Sequence, residues 1–172
     1  EAPGFAMEWG IDALVLTGGD DIGEAPVRDQ TETALIDWCV VTERPVFGVC
    51  RGLQMIQRQF GGALAPCASA DHVATRHPVK FCGWVGTEAD GAEVNSFHTW
   101  GIRGDDLAPP LVTFAVSGEN WVEGCYHREL PILGVMWHPE RGRPFRDLDR
   151  CLLRHVFRPA ISDSEADRRR HA

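Results

Sequence analysis

Pro45-Val46-Phe47-Gly48-Val49-Cys50-Arg51-Gly52-Leu53-Gln54 joins a short apolar run to a cysteine with a glycine two residues away on either side. The pattern predicts a strand over residues 45–49, a helix over about 51–60, and a turn between them so tight that side chains at 48 and 52 would collide. Glycine at both positions relieves that collision. Such a turn lifts the Cys50 sulfur above the sheet edge, beside the unpaired N–H groups and positive end of the helix, where a thiolate is expected to be favoured over a thiol. With 18 Gly and 6 Cys in 172 residues, chance supplies about 0.06 Gly-x-Cys-x-Gly matches per chain. The competing reading is a buried cysteine packed behind a strand-to-helix turn.

Working outward, residues 11–17 form a mostly apolar run that ends in Gly18-Gly19-Asp20-Asp21, the form of a buried parallel strand delivering a glycine turn. Residues 29–43 place Ala34, Leu35, Trp38 and Val41 at helical spacing, with Asp29 or Thr31 as the cap. Residues 1–9 show no periodicity. After the stop at Gly61-Gly62 come an irregular section with His72 and His77, an exposed strand over 77–81, a turn region over 83–91 and a short strand over 92–94. Strands over 111–117 and 121–126 read as an antiparallel pair. A buried strand over 130–137 runs into His138-Pro139-Glu140, and residues 147–157 close the fold as a helix with Leu148, Leu152, Leu153 and Val156 inward. Residues 161–172, highly charged, are expected to be disordered.

The composition, 44% hydrophobic with a net charge of −8, suits one compact domain over residues 1–160 and argues against a nucleic-acid surface. No apolar run approaches the length of a bilayer span, so a soluble cytoplasmic protein is expected. The six cysteines include no Cys-x-x-Cys pair and suit free thiols in a reducing compartment. Cys67, His72, His77 and Cys82 fall at five-residue intervals, a spacing unlike the common zinc patterns, and neither a metal nor a cofactor is expected.

A cysteine nucleophile needs an imidazole and a group to hold it. Proline biases its preceding residue toward extended geometry, in which residues two apart face the same way, so Glu140 should reach Nδ1 of His138 while Nε2 serves Cys50. If the first strand lies beside the elbow strand, the N–H groups of Gly19 and Arg51 converge as an oxyanion hole; an ordinary strand-ending turn at Gly18-Gly19 is the plainer alternative. Gln54, four residues along the helix, shares the face of Cys50.

Gly-Val-Cys-Arg-Gly-Leu-Gln with Trp-His-Pro-Glu, preceded by Leu-Thr-Gly-Gly-Asp-Asp, resembles the class I glutamine amidotransferase-like fold and, within it, the γ-glutamyl hydrolase branch, peptidase family C26. The resemblance runs from Ile11 to about Phe157. It implies a Cys50, His138, Glu140 triad, Gly19 and Arg51 as oxyanion donors, and Gln54, Asn95, Ser96 and His98 as substrate contacts, the last three from an Asn-Ser-x-His segment. His72 and His77 match a family stretch that is not a zinc site. Thr99-Trp100 departs from the second histidine common in the family, and the Trp100 indole is expected either to pack against the departing amine or to be buried in its own loop. The family domain also begins with a strand, a helix and a second strand that would precede Glu1.

The expected architecture is α/β: a mostly parallel central sheet with flanking helices, an antiparallel extension, and the site at the C-terminal ends of the strands. The expected chemistry is hydrolysis of a γ-glutamyl amide through a thioester on Cys50. A glutaminase passing ammonia to a synthetase partner and a truncated, non-catalytic binding domain are the alternatives, and a homo-oligomer is compatible with either enzyme.

Overall fold

The computed structural model describes residues 1–85 and 91–157. The tail expected over 161–172 and most of the turn region over 83–91 lie outside the described residues. In chain order the elements are α1 (Ala2–Glu8), β1 (Leu14–Leu16), α2 (Pro26–Val41), β2 (Val46–Val49), α3 (Arg51–Gln59), β3 (Ala65–Pro66), α4 (Ser69–His72), β4 (Val73–Phe81), β5 (Ala92–Phe97), β6 (Trp100–Gly101), β7 (Leu111–Ser117), β8 (Trp121–His127) and β9 (Ile132–Val135), with residues 147–157 forming α5.

A seven-stranded sheet runs β1-β2-β9-β8-β7-β4-β5, and β3 pairs with β6 apart from it. The contacts among β1, β2 and β9 are parallel; those from β9 through β8, β7 and β4 to β5 are antiparallel. The sheet is therefore mixed, with an antiparallel part longer than the mostly parallel reading anticipated. All four residues of β2 and of β9 are buried, as central strands covered on both faces must be. Neighbouring residues face opposite layers. Val46 and Ile132 join Leu16, Ile36, Leu53 and Ile56 beneath α2 and α3, while Phe47, Val49, Leu133 and Val135 join Phe114, Trp137, Leu152 and Val156 beneath α5.

Several local expectations are corrected. Residues 2–8 are helical, a short element whose only buried side chain is Ala6 and which therefore carries no apolar stripe to read. Helix α2 starts at Pro26, and neither expected cap serves it: Thr31 Oγ1 donates back to Val27 O at 2.8 Å, and Asp29 accepts from Gly23 N at 2.8 Å. Ile36 and Cys39 face the core in place of Val41, which is 83% exposed. Strand β4 begins at Val73, four residues early, through an irregularity at Ala74, whose φ is 54°.

The elbow is where packing is tightest. A Cβ on Gly48 would lie 2.7 Å from the Gly52 carbonyl carbon, and one on Gly52 would lie 2.7 Å from Leu16 Cβ and closer still to Leu16 O. Helix α3 thus sits against β1 and β2 at a distance only glycine allows. Gly52→Ala is expected to lower stability by about 1–3 kcal/mol by overpacking, read as a reduced urea midpoint; an unchanged midpoint would show that α3 lifts off the sheet freely.

Candidate active site

Three neighbouring parallel strands end at one place. Strand β1 leads to Gly18, β2 to Cys50 and β9 to His138, in a register that sets Leu16 opposite Gly48 and Val49 opposite Val135. The Cys50 N–H donates to Val135 O at 2.8 Å, so the elbow is tied to the strand that carries the histidine. Cys50 has φ 51° and ψ −107°, backbone a non-glycine residue occupies only when its surroundings enforce it. A Cβ on Gly18 would lie 2.7 Å from His138 Cε1; the imidazole packs directly on the glycine turn.

His138 has extended backbone, φ −106° and ψ 93°, and its Nδ1 lies 2.7 Å from Glu140 Oε1. A carboxylate only accepts, so Nδ1 carries a proton. Nε2 is buried and has no hydrogen-bond partner among the described residues. Asn95 fixes the backbone from above: its Nδ2 donates to His138 O at 2.9 Å and its Oδ1 accepts from His138 N at 2.8 Å.

Cys50 is 5% exposed. Burial pushes its thiol up to about 11; the Arg51 N–H and the Arg141 charge pull it down, and Glu140 and Glu123 push it up further. The thiolate expected from the helix N-terminus is therefore corrected to a neutral thiol, because desolvation outweighs one backbone donor and a distant charge. A neutral thiol becomes a nucleophile only once a base takes its proton.

Beneath the elbow lies a charge network that the sequence reading did not contain. The Arg51 side chain, 1% exposed, pairs with both Glu32 and Asp29 of α2. Glu32 also accepts from Arg28 Nε at 2.7 Å, and Arg28 Nη2 donates to Thr17 O at 3.0 Å and Gly18 O at 3.1 Å. Since the C=O and N–H of a trans peptide point opposite ways, anchoring Gly18 O on Arg28 turns the Gly19 N–H away from α2. The Arg28 guanidinium also occupies the space a Gly19 side chain would need. The only sequence signal for this network was the i, i+4 spacing of Arg28 and Glu32.

Gln54, 3% exposed, donates through Nε2 to Trp100 O at 2.8 Å. Both line a pocket of about 340 Å³ with Ile22, Arg58, Gly62, Ala63 and Leu64. The Trp100 indole is 39% exposed, so it is not buried in its own loop. Ser96 and His98 lie elsewhere: both are buried, Ser96 Oγ donates to His72 O at 2.7 Å, and His98 Nε2 lies 3.0 Å from His72 Nδ1. Of the three residues in the Asn-Ser-x-His segment, Asn95 reaches His138, and Ser96 and His98 build a histidine cluster with His72.

That cluster also answers the spacing of Cys67, His72, His77 and Cys82. Cys82 is exposed, with its Sγ 3.4 Å from Thr113 O, and is not part of it. The ligand-type atoms of Cys67, His72 and His98 lie within 4.8 Å of one another, as do those of His72, His77 and Glu123. The second contains an ion pair, His77 Nε2 to Glu123 Oε1 at 3.0 Å. Burial would lower the His77 pKa, but the Glu123 hydrogen bond and charge, with Asp71 behind them, outweigh it and raise it.

A scan of known protein families matches the Peptidase C26 model over residues 6–140. The chain belongs to the peptidase C26 family. It is 32% identical over 137 residues to a gamma-glutamyl-CDP-amidate hydrolase of Campylobacter jejuni, covering 76% of this chain and 63% of that protein. It is also 32% identical over 158 residues to a putative glutamine amidotransferase-like protein of Lactococcus lactis, covering 76% and 66%. The chain thus spans slightly less than two thirds of the length of these relatives. Among solved structures, a putative GMP synthase protein of Thermoplasma acidophilum superposes with a TM-score of 0.74 at 24% identity, over 97% of this chain and 80% of that one. The fold is the class I glutamine amidotransferase fold. No described helix is long and apolar enough to cross a membrane.

Two outcomes test this description. Arg51→Met removes the charge that compensates buried Glu32, and breaking such a pair from one side costs about 3–5 kcal/mol; chemical denaturation should register a loss of that order, and a loss below about 1 kcal/mol would mean that Glu32 finds water. His98, whose pKa burial lowers from 6.5 to about 4, stays neutral when folded while the unfolded chain takes up a proton. Stability is therefore fully present above pH 6.5 and is lost as pH falls toward 4. His98→Gln should flatten that acid limb in urea midpoints compared between pH 7 and pH 4.5, and an unaltered limb would assign it to other groups.

Proposed function

We propose that the chain hydrolyses a γ-glutamyl amide. The observation that carries this reading is a cysteine held at φ 51° on the elbow, one strand away from a histidine whose Nδ1 is held by Glu140 and whose buried Nε2 is open. Cys50 Sγ attacks the γ-carbonyl carbon while His138 Nε2 takes the thiol proton. Glu140 supports the resulting imidazolium, and the N–H groups of Gly19 and Arg51 receive the oxyanion. The tetrahedral intermediate collapses as His138 returns the proton to the amide nitrogen, the C–N bond breaks and the amine leaves. Water, deprotonated by His138 Nε2, then attacks the thioester, the C–S bond breaks, and glutamate departs as the imidazolium returns its proton to the Cys50 sulfur. The Gln54 pocket receives the glutamyl portion. Membership of peptidase C26 and the hydrolase from Campylobacter jejuni support the chemistry.

A second reading has its own support. The chain is 26% identical to a glutamine-hydrolyzing GMP synthase subunit from Methanospirillum hungatei, over 79% of this chain and 68% of that protein. On that reading the same thioester chemistry releases ammonia from glutamine for a synthetase partner. The Ser96 and His98 contacts implied by the family segment act indirectly in either case, through the histidine cluster.

The two readings separate in one assay series. As a hydrolase, the chain turns over a γ-glutamyl conjugate of a larger amine faster than glutamine and without a partner, and Cys50→Ala and His138→Ala each lower kcat by about 10³-fold or more. The double variant His138→Ala with Glu140→Gln should lose little beyond His138→Ala alone, since the two act as a unit. Turnover of glutamine alone, and only with a synthetase added, would replace the hydrolase by the amidotransferase. Activity that survives Cys50→Ala would remove both.

A further inference from the structure

Glu123 stands on β8 with only 1% of its surface exposed, and a carboxylate persists in a protein interior only beside positive charge. No lysine or arginine lies within 4.0 Å of it among the described residues. His77 is its ion-pair partner, Nε2 to Oε1 at 3.0 Å, and the contact is poorly aligned, since Nε2 has no hydrogen bond of good geometry. Glu123 Oε2 and His98 Nδ1 are likewise buried without a partner, so three of the seven such side-chain atoms among the described residues belong to one cluster. Unpaired polar atoms gathered at one buried place are the mark of a bound ion or water.

The ligand-type atoms of His72, His77 and Glu123 already lie within 4.8 Å of one another. Ligand atoms about 2.0–2.2 Å from a zinc ion sit roughly 3.3–3.6 Å apart in a tetrahedron, so side-chain rotation need close the widest gap by at most about 1.5 Å. Each of the three side chains is also held from behind, as metal ligands are. His77 Nδ1 lies 3.4 Å from Asp71 O, His72 Nδ1 lies 3.0 Å from His98 Nε2, and Ser117 Oγ donates to Glu123 Oε1 at 3.0 Å. The His72 backbone is fixed as well, because its carbonyl accepts from His98 N at 3.0 Å and from Ser96 Oγ at 2.7 Å. Cys67, His72 and His98 are equally close together, but that set has no carboxylate to compensate, and its two imidazoles already meet each other.

We propose that His72, His77 and Glu123 bind one divalent cation of the zinc class, with water completing its coordination. Two imidazoles and a carboxylate suit zinc and its first-row neighbours, and the cation supplies the charge that buried Glu123 needs. Its role is structural. Among the described residues, the β4–β5 hairpin pairs with the rest of the sheet only at Lys80 and Phe81. The cation adds a second tie, from His72 of α4 and His77 of β4 to Glu123 of β8. The same hairpin carries Asn95, which holds the His138 backbone. The five-residue spacing of Cys67, His72, His77 and Cys82 could not reveal this set, because its carboxylate comes from a strand far along the chain and neither cysteine belongs to it.

The test uses the full chain carrying Cys50→Ala, so that the thiol beside His138 holds no metal, stripped with a chelator and titrated with zinc. Calorimetry should find one zinc per chain, and a hundredfold excess over Kd should raise Tm by about 5–10 °C. His77→Gln and Glu123→Gln should each weaken binding by about a hundredfold or more, with the fold checked by circular dichroism, whereas Cys67→Ser should leave the affinity unchanged. Cobalt(II) keeps the test decisive should the Glu123 variant fail to fold: its visible spectrum in the otherwise unaltered chain should report a four-coordinate ion without a thiolate charge-transfer band. A thiolate band that Cys67→Ser abolishes, or zinc affinity lost with Cys67→Ser, overturns the ligand set in favour of Cys67, His72 and His98. Undiminished binding after both His77→Gln and Glu123→Gln overturns it as adventitious surface binding. No zinc-dependent rise in Tm overturns it in favour of a proton between His77 and Glu123.

Discussion

The near-contact between Gly52 and Leu16 at the elbow is the constraint on which the site depends. A residue at φ 51° costs of order 1–3 kcal/mol unless its surroundings hold it there, and Cys50 is held on both sides. Before it, the parallel pairing of β2 with β9 fixes the chain direction to Val49; after it, α3 is pressed onto β1 and β2 at a separation that leaves no room for a Cβ at 48 or 52. The apolar layer of Leu16, Leu53 and Ile56 supplies the force that presses it. The same strand pairing that strains Cys50 brings Gly18 and His138 to its side, so the core under α3 and the geometry of the catalytic groups rest on one set of contacts.

Charge is arranged to serve this packing. An unpaired Arg51 side chain at 1% exposure could not persist, and its two carboxylates on α2 hold that helix against α3. Arg28 extends the network to the carbonyls of Thr17 and Gly18, so the glycine turn, the elbow helix and α2 are tied together. The sulfur above receives little of this positive charge, because the guanidinium of Arg51 is spent on Asp29 and Glu32. Burial then dominates, and the resting thiol is neutral.

The parallel half of the fold was legible because its signals are local and steric. Glycines flanking a cysteine, continuous apolar runs and a proline after a histidine each restrict the backbone in only a few ways, and β2, α3, β9 and the His138–Glu140 contact follow. The β7–β8 pair was legible for the same reason, through its alternation. Residues 2–8 carried no apolar stripe because their helix buries one alanine. Asp29 read as a cap because its type suits an N-terminus, whereas its partners, Gly23 N and the Arg51 side chain, are set by tertiary structure. The Asn95–His138 clamp spans 43 positions along the chain, and no spacing rule reaches across that separation. The resemblance implied substrate contacts at Asn95, Ser96 and His98; in the structure Asn95 bonds the His138 backbone, while Ser96 and His98 bond His72, since motif identity carries no information on which way a strand faces.

Strand β5 alternates, and that alternation explains why one short segment has two duties. Val94 and Ser96 point inward, to the core beneath α5 and to the histidine cluster, while Asn95 and Phe97 point to the other face, where His138 lies. The β4–β5 hairpin is joined to the rest of the sheet only through Lys80 and Phe81 opposite Val116 and Ala115. It meets the site through the Asn95 clamp and the Phe97 ring. Residues 74, 76 and 97 can therefore change with little consequence for the elbow, while any change at 18, 48 or 52 reaches the nucleophile. The constrained part of the site is built by the parallel strands. The cavity beside Phe97 and Arg76 is built by the antiparallel hairpin, where substitution disturbs the elbow least.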